Sequence, residues 1–442
     1  MFYKLKKKGI LICIILMSNI YFGIGNSVAL SNGSIRLSDS NKPSIEFIWN
    51  ATSNCGAYPR INDILMDDSN NTIITGTSGY PGGYKIDLLK YSNSGTLLSN
   101  TSWGVASKDE FGYGAAMDSS YNIYVCGYTE DQTGNVSLIL CKFNQTLDFQ
   151  WQRIWGPTGQ EDGHDIVIDN NNIYVIGTTN ITGQYDLLLL KYNTTGDLQE
   201  VNHWDISGGL DRGCSIDIDS TGNLYMADFT PGRIFILKYN PDTGFIWNSS
   251  TIAVWIYDLD PITVKVSDRN PNQIFLGYDQ YTVASHILKY RTDGTLLYNI
   301  SQSSGSDYVT MRTLAIDDES NVFLGCYSYL GSTAYQQCLL QKINNDGTHQ
   351  WDYQWGTAVY WPGPHYGAAC TAITFDENNN MYLAGAMGSN YFLSKVKEIS
   401  PGPGLDLTLL IIIIAIVAVV AAVAITVIFI IRRKHNRVNF NS

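Results

Sequence analysis

Between residues 45 and 397, short apolar or alternating runs recur, and Asn-, Asp- and Gly-rich stretches separate them. One clear stretch reads His164–Ile168, Ile173–Thr178, Asp186–Tyr192 and Leu198–Trp204. Period-two alternation and continuous apolar runs of this length predict four β-strands joined by tight turns. No 3.6-residue periodicity runs through this region, which argues against a helical solenoid. The longest apolar run lies elsewhere: Leu407–Ile431 is 25 residues without a charge, interrupted only by Thr408 and Thr426.

The four-strand pattern repeats. Asn122-Ile123-Tyr124-Val125 returns as Asn172-Ile173-Tyr174-Val175 and Asn223-Leu224-Tyr225-Met226, with weaker copies around Ile73, Phe275, Phe323 and Tyr382. The step is 48 to 51 residues, apart from 59 into the last unit. An Asp precedes each copy (Asp67, Asp118, Asp169, Asp219, Asp268, Asp317, Asp376), and a Lys follows each one (Lys90, Lys142, Lys191, Lys238, Lys289, Lys342, Lys395). Three markers counted seven times in one order, with four strands per unit, predict an all-β, seven-bladed β-propeller over residues 45–397. The seventh unit lacks a fourth strand. Ile45-Glu46-Phe47-Ile48-Trp49 resembles Leu147-Asp148-Phe149-Gln150-Trp151, so the N-terminal strand is expected to complete blade seven and close the ring.

The two ends supply an address. Met1–Lys8 is basic, Gly9–Gly25 is apolar, and Ser27-Val28-Ala29 offers small residues for cleavage, the layout of a signal peptide over 1–29. A leader, 30–44, precedes the propeller; a Pro/Gly stalk, 398–406, follows it. At about 1.5 Å per residue, helical 407–431 reaches about 37 Å and spans a ~30 Å hydrocarbon core with some tilt. The basic run Arg432-Arg433-Lys434 opens a tail, 432–442, that the positive-inside rule keeps cytoplasmic. The expected protein is single-pass in the cell membrane, with an extracellular propeller. Ala418 and Ala422 permit pairing of spans without requiring it, so a homo-oligomer has no firm support in the sequence.

Composition narrows the partners. Lys+Arg are 28 and Asp+Glu 40, and both termini are purely basic, so residues 30–406 hold 20 basic against 40 acidic side chains. Phosphate would be repelled, which argues against nucleic acid. Charged residues are only 15% of the chain, while Tyr 29 and Gly 40 mark it as turn-rich and aromatic.

Asp219-Ser220-Thr221-Gly222-Asn223-Leu224-Tyr225 and the segment from Lys238-Tyr239-Asn240 through Gly244 to Trp247 resemble the β-propeller repeat family abbreviated SBBP, over about residues 45–397. The resemblance implies the propeller fold and an extracytoplasmic setting, and it brings no catalytic residues.

Candidate chemistry is sparse. The repeated Asp reads as a turn cap rather than a calcium ligand, since each copy brings only one or two carboxylates. The repeated Lys reads as structural, its stem covering apolar surface while its ammonium reaches water or a carboxylate. No metal or cofactor is expected. Asp109, Asp162, Asp211 and Asp307 precede first strands and are candidates for an acidic mouth that binds a ligand. Tyr360, Trp361, His365 and Tyr366, in the long step into blade seven, are candidates for an aromatic platform. Cys126 with Cys141 and Cys326 with Cys338 flank hairpins and are candidate disulfides in an exported chain. Sequons occur at Asn32, Asn50, Asn70, Asn100, Asn135, Asn144, Asn180, Asn193, Asn248 and Asn299. Metalloprotease, nucleophile-elbow and P-loop motifs are missing. The expectation is a binding or adhesion module for an extracellular protein or glycan; the alternative is a propeller hydrolase or lyase.

Overall fold

The structure is a computed structural model that describes residues 30–31, 34–35, 44–80, 83–252, 261–267, 273–280, 284–302, 309–329, 335–360 and 368–399. The signal-peptide layout, the apolar segment 407–431 and the basic tail lie outside the described residues. A two-residue pairing, Leu30–Ser31 with Ser34–Ile35, belongs to a unit separate from the propeller, which spans Ile45–Glu398.

Seven four-stranded antiparallel sheets make the propeller. Blade one is Ala57–Met66, Thr72–Tyr80, Gly83–Tyr91 and Leu97–Trp103. Blade three, Asp162–Asp169, Asn172–Thr179, Asp186–Asn193 and Leu198–Trp204, matches the strands expected from its sequence within two residues. Blade seven joins Ala368–Phe375, Met381–Met387 and Asn390–Ile399 to the N-terminal strand Ser44–Asn54. Thus the N-terminal strand Ser44–Asn54 is the last strand of the ring, and the ring has no open blade. Each first strand lies beside the first strands of both neighbouring blades, including blade seven beside blade one, so these strands form the wall of a central channel.

Seven apolar cores, one between each adjacent pair of blades, hold the sheets together. Because side chains alternate across a strand, each blade feeds two different cores. That alternation corrects the disulfide expectation. Cys126 lies opposite Leu140, and Cys141 opposite Val125, so their sulfurs leave opposite faces of the sheet. Cys126 joins the core between blades two and three, while Cys141 joins the core between blades one and two. Cys326 and Cys338 are offset by one residue in the same way. All four are buried free thiols.

The three sequence markers converge on one latch at the turn end of the blades. The Asp side chain accepts from the backbone N–H groups two and four residues on, as Asp219 does from Thr221 (2.9 Å) and Asn223 (3.0 Å). The Lys lies directly opposite the aromatic residue in the register, and its ammonium sits over that ring: Lys142 over Tyr124 at 4.9 Å, Lys238 over Tyr225 at 5.1 Å, Lys395 over Tyr382 at 4.9 Å. The same ammonium then reaches the third-to-fourth-strand turn of the next blade: Lys142 to Thr194 O (3.1 Å), Lys238 to Thr292 O (3.2 Å), Lys289 to Asn345 O (2.8 Å). Lys395 carries the latch from blade seven to Asn93 in blade one (2.6 Å). In six blades the repeated Lys therefore ties one blade to the next, whereas Lys191 pairs with Glu200 on its own blade.

Candidate functional site

Variation from blade to blade lies on the first strands, at the inner edge of each sheet. Six of the seven carry a one-residue bulge against the second strand, and only blade five, Ile262–Ser267, pairs without one. A bulge re-aims a side chain and bends the strand. The bulged residues differ in every blade: Asn62, Tyr113, His164, Cys214, Arg312 and Thr371. Some touch across blades. The rings of Tyr113 and His164 meet edge-on at 5.8 Å, and Tyr113 also packs on Tyr128 at 5.7 Å. Arg312 lies over Tyr327 at 5.7 Å.

Below the bulges, four blades place charge on the channel wall. Asp63 and Asp165 hold equivalent positions in blades one and three, and Asp217 and Lys265 hold equivalent positions in blades four and five. Each carboxylate accepts a backbone N–H from a neighbouring first strand: Asp63 from Ala115 (2.9 Å), Asp165 from Ile216 (3.0 Å), Asp217 from Val266 (2.7 Å). These N–H groups belong to the innermost edge of each sheet, where no further strand exists to pair them. Burial pushes the Asp63 carboxyl up to about 6, with Lys265 pulling it back and Asp165 pushing it further. Burial likewise raises Asp217, again opposed by Lys265. For Lys265, burial acts to lower the ammonium, but Asp217, then Asp165 and Asp63, outweigh it and hold the pKa above the usual lysine value. The four groups form one coupled cluster with a net negative charge.

Between blades three and four the wall becomes polar and buried. His164 places Nδ1 2.7 Å from Gly213 O and Nε2 3.2 Å from Asp162 Oδ2. Burial disfavours the imidazolium, yet Asp162 and the Gly213 carbonyl outweigh burial and raise its pKa. With an acceptor at each ring nitrogen, the network assigns a proton to both. Beside it, Asp228 stands where blades one, two, three and seven have Gly76, Gly127, Gly177 and Gly385. At those glycines a Cβ would fall within 2.2 Å of a first-strand carbonyl oxygen. Gly213 lies opposite Asp228, as Gly112 and Gly163 lie opposite Gly127 and Gly177. The Asp228 side chain is fully buried; the Arg212 backbone N–H approaches it, but no donor reaches good hydrogen-bonding geometry among the described residues. Burial, reinforced by Asp211, drives its pKa well above the carboxylate range. Cys214 is close enough to feel the same charge, and burial followed by Asp228 raises its thiol far from the thiolate range.

The acidic-mouth candidates occupy non-equivalent places. Counting back from the aligned Gly112, Gly163 and Gly213, Asp109 is three residues before, Asp162 one and Asp211 two. Asp109 accepts the Tyr84 N–H at 2.7 Å and pins the blade-one hairpin. Asp162 holds His164. Asp211 is buried and accepts from Ile206 (2.7 Å) and Ser207 (3.2 Å), the job that Glu110 and Glu161 do for their own loops. Asp307, Trp361, His365 and Tyr366 lie outside the described residues, as does the side chain of Tyr360, whose backbone pairs with Tyr335 in blade six. Between blades six and seven, a cleft of about 280 Å³ is lined by Phe47, Trp355, Tyr391 and Phe392, among others.

Asp63, Asp165, Asp217 and Lys265 carry no repeat signal along the chain. The available signal was a charge inside an apolar strand, as in His164-Asp165-Ile166-Val167. Among the described residues no group of three His, Cys, Asp or Glu is placed to hold a metal ion.

No family model matches the chain, and no curated protein matches it. Among solved structures, a protein from Lactobacillus plantarum determined as a structural-genomics target is similar at TM-score 0.45 and 12% identity, over 71% of this chain and 95% of that one.

Proposed function

We propose that this chain is an exported, membrane-tethered propeller that binds an extracellular protein or glycan on its channel side. The observation that carries this reading is internal. Positions that close the ring repeat blade by blade, whereas the bulged channel positions are Asn, Tyr, His, Cys, Arg and Thr in turn. A repeat protein that varies only where its scaffold does not constrain it has the economy of a recognition surface. The setting rests on the signal-peptide layout, the 25-residue apolar run and the basic tail, and on the SBBP resemblance of the repeat.

The polar wall also favours binding over turnover. A general base needs a free lone pair, and both His164 nitrogens face acceptors. A thiol nucleophile needs a lowered pKa, and Cys214 has a raised one.

Full-length protein in detergent, screened on glycan and peptide arrays, tests the proposal. Binding is expected to fall at least tenfold in a Tyr113→Ala/His164→Ala/Arg312→Ala variant. A Tyr360→Ala/Trp361→Ala/His365→Ala variant asks whether the aromatic segment contributes. Substrate turnover that disappears when one carboxylate is mutated would replace the binding reading with the hydrolase or lyase one. For orientation, a C-terminal tag should resist external protease while the propeller is digested; an accessible tag would reverse the topology.

A further inference from the structure

Ten sequons are a composition effect until the register sorts them. In blade one, Asn100 lies opposite Leu89; in blade four, Asn248 lies opposite Leu237; in blade five, Asn299 lies opposite Leu288. Each partner is the residue just before the repeated Lys, so the three asparagines hold one structural position. Asn50 holds it in blade seven. Trp49 donates to Asn93 O in the blade-one turn, and Trp247 donates to Thr292 O in the blade-five turn, which makes Trp49-Asn50 the counterpart of Trp247-Asn248. All four asparagines are exposed on the outermost strand. So are their sequon hydroxyl residues, Thr52, Ser102, Ser250 and Ser301, because a strand sends residues i and i+2 to the same side.

We infer that Asn50, Asn100, Asn248 and Asn299 carry N-linked glycans, forming an interrupted girdle around the outer edge of the ring. The inference rests on export of the propeller. In the modification, the carboxamide Nδ2 attacks the anomeric carbon of a lipid-diphosphate-linked oligosaccharide. The C–N bond forms, the C–O bond to the diphosphate breaks, the lipid diphosphate leaves, and Nδ2 loses one proton. All four side chains are exposed, and Asn299 also hydrogen-bonds His286. Asn144 and Asn193 are instead held in turns. Each donates Nδ2 to a turn carboxylate (Asp148 and Asp197, both 3.0 Å) and accepts two backbone N–H groups through Oδ1. A sugar on either nitrogen leaves it a single N–H and crowds the turn that receives the Lys latch.

The girdle has a purpose in the fold. Outermost strands expose unpaired backbone groups that invite edge-to-edge association. A glycan at mid-strand blocks that approach in blades seven, one, four and five. At Asn50 the first sugar also has an aromatic wall to pack on, since this residue lines the cleft with Phe47 and Trp355. Blades two, three and six hold Gln152, Val201 and Asp352 at the same position and stay bare.

The test is full-length protein expressed in a cell with an N-glycosylating secretory pathway, mapped site by site after enzymatic deglycosylation in heavy-oxygen water. Label is expected at all four girdle residues and not at Asn144 or Asn193, and each Asn→Gln change in the girdle should remove one glycan step on a gel. Surface protease digestion in the same cells separates the two layers of the argument. A surface-exposed propeller with an unlabelled girdle, or with Asn144 and Asn193 labelled as fully, overturns the girdle. A propeller that stays inside the cell overturns the export reading, and the girdle with it.

Discussion

The turn end of the blades and the channel wall are built from the same strands, yet they obey opposite rules. At the turn end, Asp, aromatic residue and Lys recur, and the ammonium of one blade reaches the turn of the next. On the channel wall, one blade offers Asp165, the next Asp217, the next Lys265, and their neighbours apolar or small residues such as Ala372. Ring closure explains the difference. Seven interfaces must meet at the same angle, so whatever sets that angle must repeat. The inner edges need only have their N–H groups satisfied, and a carboxylate, a hydroxyl or a water does this equally well.

The comparison breaks first at the closing strand. Removing Ser44–Asn54 takes a full strand from blade seven and reopens the ring; the cooperative melting transition should be lost, whereas trimming 30–42 should leave it in place. Calorimetry reads both, and unchanged melting without the strand would sink the closure argument. Next is the latch. Lys395→Met strips a buried carboxylate, Asp376 (3.1 Å), of its partner and cuts the link to blade one. The expected loss in urea denaturation is about 3 kcal/mol. Lys191→Met, whose partner Glu200 is only half-buried, should lose less than about 1 kcal/mol. Equal losses would mean that the latch does not carry the interface.

Smaller effects test the wall. Asp228→Gly restores the residue that four other blades use, removing a poorly paired buried carboxyl at the cost of a more flexible strand; the balance is a gain of about 1 kcal/mol near pH 8. Asp228 is held above the ordinary carboxyl range. From about pH 4 up to its folded pKa, the native state therefore keeps a proton that the unfolded chain has released, and stability falls as pH rises. The glycine variant should lose that slope, and a slope retained in full would place its origin elsewhere. The least effect is expected of Asp63→Asn. With a folded pKa of about 6, Asp63 makes stability fall between roughly pH 4 and 6, and the amide should flatten that segment alone.

Legibility followed the same division. Strands and closure could be read because the markers lie at fixed distances along the chain, and Ile45–Trp49 reproduces the apolar spacing of Leu147–Trp151. The cysteines misled because proximity along a hairpin says nothing about facing; one residue of register sends Cys126 and Cys141 into different cores. The Asp residues before the first strands show the same limit. Asp109, Asp162 and Asp211 look alike before a first strand, but a shift of one residue turns a loop anchor into a histidine partner.

What the sequence by itself determined is the count of blades, the strands within each and the strand that closes the ring, because these follow from local pattern repeated at a constant period. Only the tertiary structure decided that the repeated Lys is a latch, that four sequons share one edge position, and that Asp63, Asp165, Asp217 and Lys265 form one cluster. Those groups sit in different blades, 50 residues or more apart for most pairs, and no linear period brings them together. Their meeting depends on the ring, in which first strands converge on a common axis and a single bulge sets which side chain faces it.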